Sequence, residues 1–207
     1  MTFTERFLKA KHWQLLLLTF GIPMIFQFVM TGSMLVSFGS GKEPDPSFMF
    51  NYFRLFPILM IVFIGVFFGW FWAIAIGLQK KVPAGVKMKT KKFKVLFFIP
   101  MTYMLLISIG IETAMSGLIK RIEGGDQPDV GLLGGIMGII FPLHLFSMFC
   151  IFYSLYFVAK TFKTVELQRE TTFSDFAGEF FMIWFYPVGI WIIQPKVNKM
   201  VQDDSSQ

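Results

Sequence analysis

Two residues inside the apolar parts of this chain could carry chemistry, Glu112 and His144. A carboxylate or imidazole in a hydrocarbon layer is costly, so either one points to proton transfer, cation binding or a polar contact between helices. Glu112 is the only acid well inside an apolar run, six residues before Leu118. At about 1.5 Å per residue it sits roughly 9 Å from the outer end of its helix. A proton or cation site is one reading. A carboxylate that reaches the outer interface or a polar neighbour is the plainer one, and it is favoured. His144 follows Pro142, which leaves the carbonyl of Gly138 without its helical donor. It lies nearer mid-membrane, where a hydrogen bond to a neighbouring helix is favoured over a proton relay. The two residues occupy successive helices at depths that differ by several ångströms, so contact is allowed but not required. Glu179 opens the last apolar run and reads first as compensation of a helix dipole. If that run is re-entrant, Glu179 could instead face a polar cavity.

Other chemistries are poorly provided for. The single Cys150 rules out an intrachain disulfide and a multi-cysteine metal site, and there are two histidines, so no metal or other cofactor is expected. Ala114-Met115-Ser116-Gly117 resembles the Gly-x-Ser-Gly of rhomboid intramembrane proteases but departs at its first residue. Ser116 falls near the outer surface, His144 lies deeper, and six clear spans are lacking. A short motif alone is weak, so an intramembrane enzyme is the least favoured reading. No Walker loop, GxSxG or GxGxxG is present.

The elements that must hold these residues are membrane-spanning helices. Hydrophobic residues make up 55% of the chain and charged residues 15%, where a soluble domain carries about 25% charge. The mean hydropathy is +0.61. Leu55 to Gln79 is free of charge, and the next fifteen residues, Lys80 to Lys94, hold seven lysines and no acid. An apolar run of ~20 residues is what a helix needs to cross the hydrocarbon core. The fold class is therefore all-α: a polytopic helical membrane bundle in one domain, residues 1–207. Spans are expected at about 14–38, 53–78, 93–118 and 132–159, with a possible kink at Gly21 and Pro23 in the first. Gly39 to Asn51 and Lys120 to Asp129 read as connections. The fourth helix should continue into the cytoplasm, because Lys163, Glu166 and Arg169 are spaced for i,i+3 pairing. Ser174 and Asp175 look like a helix start. The segment 176–193 is a fifth, broken apolar stretch, short-spanning or re-entrant, interrupted by Pro187 and Gly189.

Charge orients the bundle. With the lysine loop inside, the cytoplasmic side carries 13 basic residues and the outside 4. The N-terminus is then cytoplasmic. Lys196 and Lys199 also prefer the inside, which favours a fifth segment that returns. Backbone satisfaction favours one that crosses, since a re-entrant tip must be buried in protein. The balance tips towards return, with a break at Tyr186–Gly189 and Gln207 on the same side as Met1.

Small residues suggest how helices meet. Gly65, Gly69, Ala73 and Gly77 recur every four residues, as do the pairs Gly131/Gly135 and Gly134/Gly138. Such ridges permit close backbone approach, within the chain rather than across a homodimer. Lys80, Lys81, Lys87, Lys89, Lys91, Lys92 and Lys94 are topology determinants that can also bind anionic lipid headgroups. The net charge of +6 is not a nucleic-acid signal, because the basic residues flank apolar runs.

The stretch Gly178-Glu179-Phe180-Phe181-Met182-Ile183-Trp184-Phe185-Tyr186-Pro187-Val188-Gly189-Ile190-Trp191-Ile192-Ile193-Gln194-Pro195 resembles the C-terminal signature of a group of uncharacterised bacterial inner-membrane proteins. Lys11-His12-Trp13-Gln14 and Gly65-Val66-Phe67-Phe68-Gly69-Trp70-Phe71-Trp72 are similar to the same group. The resemblance covers under a quarter of the chain. It implies a bacterial plasma membrane and brings no activity with it. The first functional expectation is a non-enzymatic membrane protein acting through helix or lipid contacts, with a larger membrane assembly or a homo-oligomer as its setting. The alternative is a small transporter or channel using Glu112 and His144, supported by the broken fifth run. The lack of an internal repeat and the few polar residues available to line a path count against it.

Overall fold

The computed structural model describes residues 2–40, 46–124 and 130–202. The side chain of Glu112, the connection 125–129 and the tail with Gln207 lie outside the described residues. Every regular element among the described residues is helical, and four stretches are long and apolar enough to cross a membrane: His12–Gly39, Leu55–Lys81, Thr90–Ile111 and Gly134–Leu167.

The chain opens on α1 (Phe3–Lys9), a short helix before the first span. Thr2 and Glu5 form a capping box at its start, so two otherwise unpaired amides are satisfied. α2 (His12–Leu16) passes through a π-helical turn at Leu17–Gly21 into α3 (Ile22–Gly39). Pro23 has no N–H and its ring crowds the carbonyl four residues back, at Thr19; the wider turn accommodates both. The expected kink is thus a π turn that sits just before the proline.

α4 (Pro46–Trp72) starts earlier than the sequence suggests. Pro46, in the expected connection Gly39 to Asn51, instead opens the helix, because proline suits the first turn, where no N–H is needed. α4 runs into a second π turn, Ala73–Gly77, and a 3-10 turn, Leu78–Lys81. α5 (Thr90–Glu123) likewise extends past its expected end through Lys120 and Arg121. α6 (Val130–Leu167) continues beyond its apolar run, as its charge spacing requires. α7 (Phe173–Trp184) and α8 (Tyr186–Gln202) form the broken segment.

That break is a tight hairpin. It falls at Phe185, one residue before the expected Tyr186–Gly189, because Pro187 sits in the first turn of a new helix instead of inside an old one. The amides of Val188 and Gly189 donate to the Phe185 carbonyl at 2.9 and 3.0 Å. A Cβ at Gly189 would overlap the Met182 carbonyl, so only glycine lets α8 turn back against α7.

The packing is uneven along the bundle. Trp70, Phe71, Ile74, Leu78, Phe93 and Phe162 are fully buried at the end that carries the lysines. Phe176, Ile183, Ile190 and Ile193 of the hairpin join the same core. Towards the other end α3 buries no residue. No described residue of α6 between 131 and 146 is buried either. Helices that are apolar all round and uncovered by their own chain are built for contact with lipid or with other helices.

Candidate functional site

The polar side chains concentrate where the hairpin meets α1 and the end of α6. Lys163 donates to Glu166 at 2.7 Å and to Glu179 at 2.8 Å, joining α6 to α7. Lys196 donates to the other oxygen of Glu166 at 3.0 Å, joining α8 to α6. Glu179, at 11% side-chain exposure, is therefore held by a lysine from the preceding helix, and its position in the second turn makes it an anchor of the hairpin. The i,i+3 pairing expected of Lys163 and Glu166 is present. Arg169 departs from it. α6 ends at Leu167, Gln168 adopts a left-handed backbone (φ 51), and the turn carries Arg169 to Asp175 instead, at 2.7 Å. Asp175 also accepts from the Thr172 amide at 2.8 Å, which completes a capping box at the start of α7. The Arg169 hydrogen bond, then those from Thr172, hold the Asp175 carboxyl well below the usual carboxylate range.

A second constellation is buried and uncharged. The Gln194 amide nitrogen donates to the carbonyls of Phe7 and Ala10 at 3.0 and 2.8 Å. Its oxygen accepts the indole N–H of Trp70 at 2.6 Å. Asn198, one turn on, donates to the Leu8 carbonyl at 2.7 Å. The last carbonyls of a helix have no partner within it, and α8 supplies partners to those of α1. Thr19, inside the first π turn, shares a 3.1 Å hydrogen bond with Tyr186 at the start of α8.

The glycine ridge of the second span, on α4 and the π turn after it, serves this arrangement. A Cβ at Gly69 would stand 2.6 Å from the Phe7 ring, and one at Gly77 would strike Thr4 and Leu8. Ala73 between them is fully buried. The close neighbour is α1, not another membrane span. Gly65 at the far end of the ridge meets nothing within 4 Å. Gly134, Gly135 and Gly138 on α6 also meet nothing within 4 Å, and Gly131 is exposed.

His144 accepts or donates a 3.2 Å hydrogen bond with the Tyr103 hydroxyl of α5. His144 is exposed there and Tyr103 is half-buried. Of the lysines, Lys80 and Lys81 sit on the 3-10 turn, Lys87 and Lys89 on the connection, and Lys91, Lys92 and Lys94 on the first turns of α5. Lys92 lies 4.9 Å over the Tyr153 ring and Lys94 5.8 Å over Trp72. Among the described residues, no three His, Cys, Asp or Glu side chains come together as metal ligands would.

The sequence reading missed Gln194, Asn198, Trp70, Thr19 and Tyr103. A glutamine amid isoleucines, directly before Pro195, is the one signal that could have exposed the clamp. The paired groups described above hold helices together; none is a nucleophile set against a base. No known family model, curated protein or solved structure matches this chain.

Proposed function

We propose that this is a non-enzymatic multi-pass protein of the bacterial plasma membrane, with its N-terminus in the cytoplasm, that works as a subunit of a larger membrane assembly. The observation that carries the reading is the Tyr103–His144 pair on α5 and α6, half-buried at the tyrosine and exposed at the histidine. Two polar side chains at that depth lose hydrogen-bonding capacity against lipid, whereas a facing helix can complete it. The open glycine positions on the same helix, Gly134, Gly135 and Gly138, would let such a helix come close. The orientation rests on the excess of lysine and arginine at one end, and the compartment on the resemblance of the C-terminal stretch.

A proton-conducting role for Glu112 and His144 is the alternative. An imidazole exposed on the outer face, instead of lining an enclosed path, supports the assembly reading over it.

Extraction in native-membrane nanodiscs followed by mass measurement tests the proposal. A species well above 23.9 kDa, reduced to the single chain by Tyr103→Phe with His144→Leu, is expected. A single chain in the wild type would overturn it.

A further inference from the structure

An open cavity of about 690 Å3 lies between the end of α6, the 3-10 turn after α4 and the end of α8. Lys80, Lys81, Lys196 and Lys199 line it, with Glu166 and Gln168. The one carboxylate in this set is already committed. Its two oxygens take Lys163 at 2.7 Å and Lys196 at 3.0 Å. Among the described residues of the lining, four lysines stand against one carboxylate, and that carboxylate is shared with a fifth lysine, Lys163.

The walls are tied to one another. The Lys81 ammonium donates to the Met200 carbonyl, which joins the 3-10 turn to α8. The Gln168 amide donates to the Lys81 carbonyl at 3.3 Å and to Val165 at 2.8 Å, which joins α6 to the same turn. Gln168 adopts its left-handed backbone at this point, a conformation costly for a side chain other than glycine. The cluster is thus part of a built cavity and not a set of lysines that happen to share a loop. Like charges brought together in this way repel, and an anion relieves that repulsion.

We propose that this cavity binds a phosphate group. Lysine ammoniums are compact point charges that suit the several directions of a tetrahedral phosphate, whereas a planar carboxylate favours the arginine fork, absent from this lining. The volume falls in the range of small-ligand sites, roughly 300–1,000 Å3, and exceeds what a bare phosphate needs. It suits a phosphate with a small polar substituent. Two sources fit that chemistry, an anionic phospholipid headgroup or a soluble phosphate. The lysines of the connection and of α5 crowd the same end of the bundle, which would draw anionic lipid there. The site stands independently of the assembly reading, because none of its residues lies on the α5–α6 outer face.

The full chain, purified in neutral detergent, is heated with dispersed phosphatidylglycerol, with phosphatidylcholine, with inorganic phosphate, or with chloride at matched ionic strength. Phosphatidylglycerol or phosphate should raise the unfolding temperature, and phosphatidylcholine and chloride should not. A rise with the lipid alone assigns a headgroup; a rise with inorganic phosphate as well assigns a site for phosphate from solution. Lys80→Gln with Lys199→Gln should weaken the apparent affinity ~10-fold or more, since each basic residue contributes on the order of a tenfold factor or less. Lys91→Gln with Lys92→Gln, outside the cavity but at the same end of the bundle, should weaken it far less than the cavity pair does. No rise with either phosphate source, or equal loss in both double variants, would overturn the proposal. Asp203 and Asp204 follow α8 directly in sequence and are the rival occupants. Binding that appears only after Asp203→Asn with Asp204→Asn would assign the cavity to the chain's own tail and overturn the proposal too.

Discussion

Trp70 on α4 and Gln194 on α8 share a 2.6 Å hydrogen bond with both side chains fully buried. The bond fixes the glutamine so that its amide nitrogen faces the end of α1 and donates to the carbonyls of Phe7 and Ala10. Three parts of the chain far apart in sequence are thereby joined through one side chain. A buried amide is favourable only when its donors and acceptor are all satisfied, and here they are.

Replacing that glutamine tests the clamp. Gln194→Leu keeps a similar volume but strands the Trp70 N–H and takes one donor each from the Phe7 and Ala10 carbonyls, which keep the Ala10 amide and Asn198. Each buried group stranded in this way costs on the order of 1–3 kcal/mol. A clear fall in the unfolding temperature is expected, with faster hydrogen exchange over Phe3–Lys9 than elsewhere. Unchanged exchange in α1 would mean that the Gly69 and Gly77 contacts suffice to hold it.

The glycines separate by position. Gly69→Ala or Gly77→Ala puts a methyl into α1 side chains and should destabilise the detergent-solubilised protein by ~1–3 kcal/mol. Gly65→Ala meets open space, and alanine favours a helix over glycine by about 1 kcal/mol, so it should be neutral or stabilising. Thermal unfolding of the three variants side by side checks the order. Equal loss at all three would place a close neighbour at Gly65 as well.

The Arg169–Asp175 clamp should make stability depend on acid. The folded carboxyl titrates below its unfolded value of about 3.9, so the folded state favours the charged form. Its contribution is fully present above the unfolded value and is lost as pH falls through the folded one. The gap in unfolding temperature between wild type and Asp175→Asn should be constant above about pH 5 and close at lower pH. A gap that stays constant down to about pH 2 would show that the pair does not titrate as the geometry implies.

The four spans were legible because charge and hydropathy dominate in a bilayer: ~20 apolar residues and a lysine cluster leave little freedom. The acid start of α7 was legible too, since Asp175 at the third helical position is a local capping signal. What packs against a glycine was not. Gly69, Gly77 and Gly138 look alike in sequence, yet the first two meet α1 and the third meets nothing. α1 itself is a seven-residue helix with charged residues, and its stability comes from partners over 180 residues away, Gln194 and Asn198. Arg169 was misassigned to Glu166 because a helix end at Leu167, followed by a left-handed Gln168, has no glycine or proline to announce it.

The last prediction concerns the path of α7 and α8. α7 has 12 residues and reaches about 18 Å, well short of a ~30 Å core. Early in the hairpin Glu179 pairs with Lys163 of α6. Late in the hairpin Lys196 pairs with Glu166 of α6, and Asn198 bonds α1. Both ends are therefore fastened at the lysine-bearing end of the bundle, while Tyr186 beside the break bonds Thr19 inside the first span. That geometry is what a helix pair that enters and returns requires. Lys89→Cys and Gln202→Cys should react with an impermeant thiol reagent from one and the same side of the membrane, the cytoplasmic side by the charge rule. Phe185→Cys, at the apolar tip, should react from neither side. Labelling of Gln202→Cys from the side opposite Lys89→Cys, in protein with normal unfolding temperature, would mean that α8 crosses.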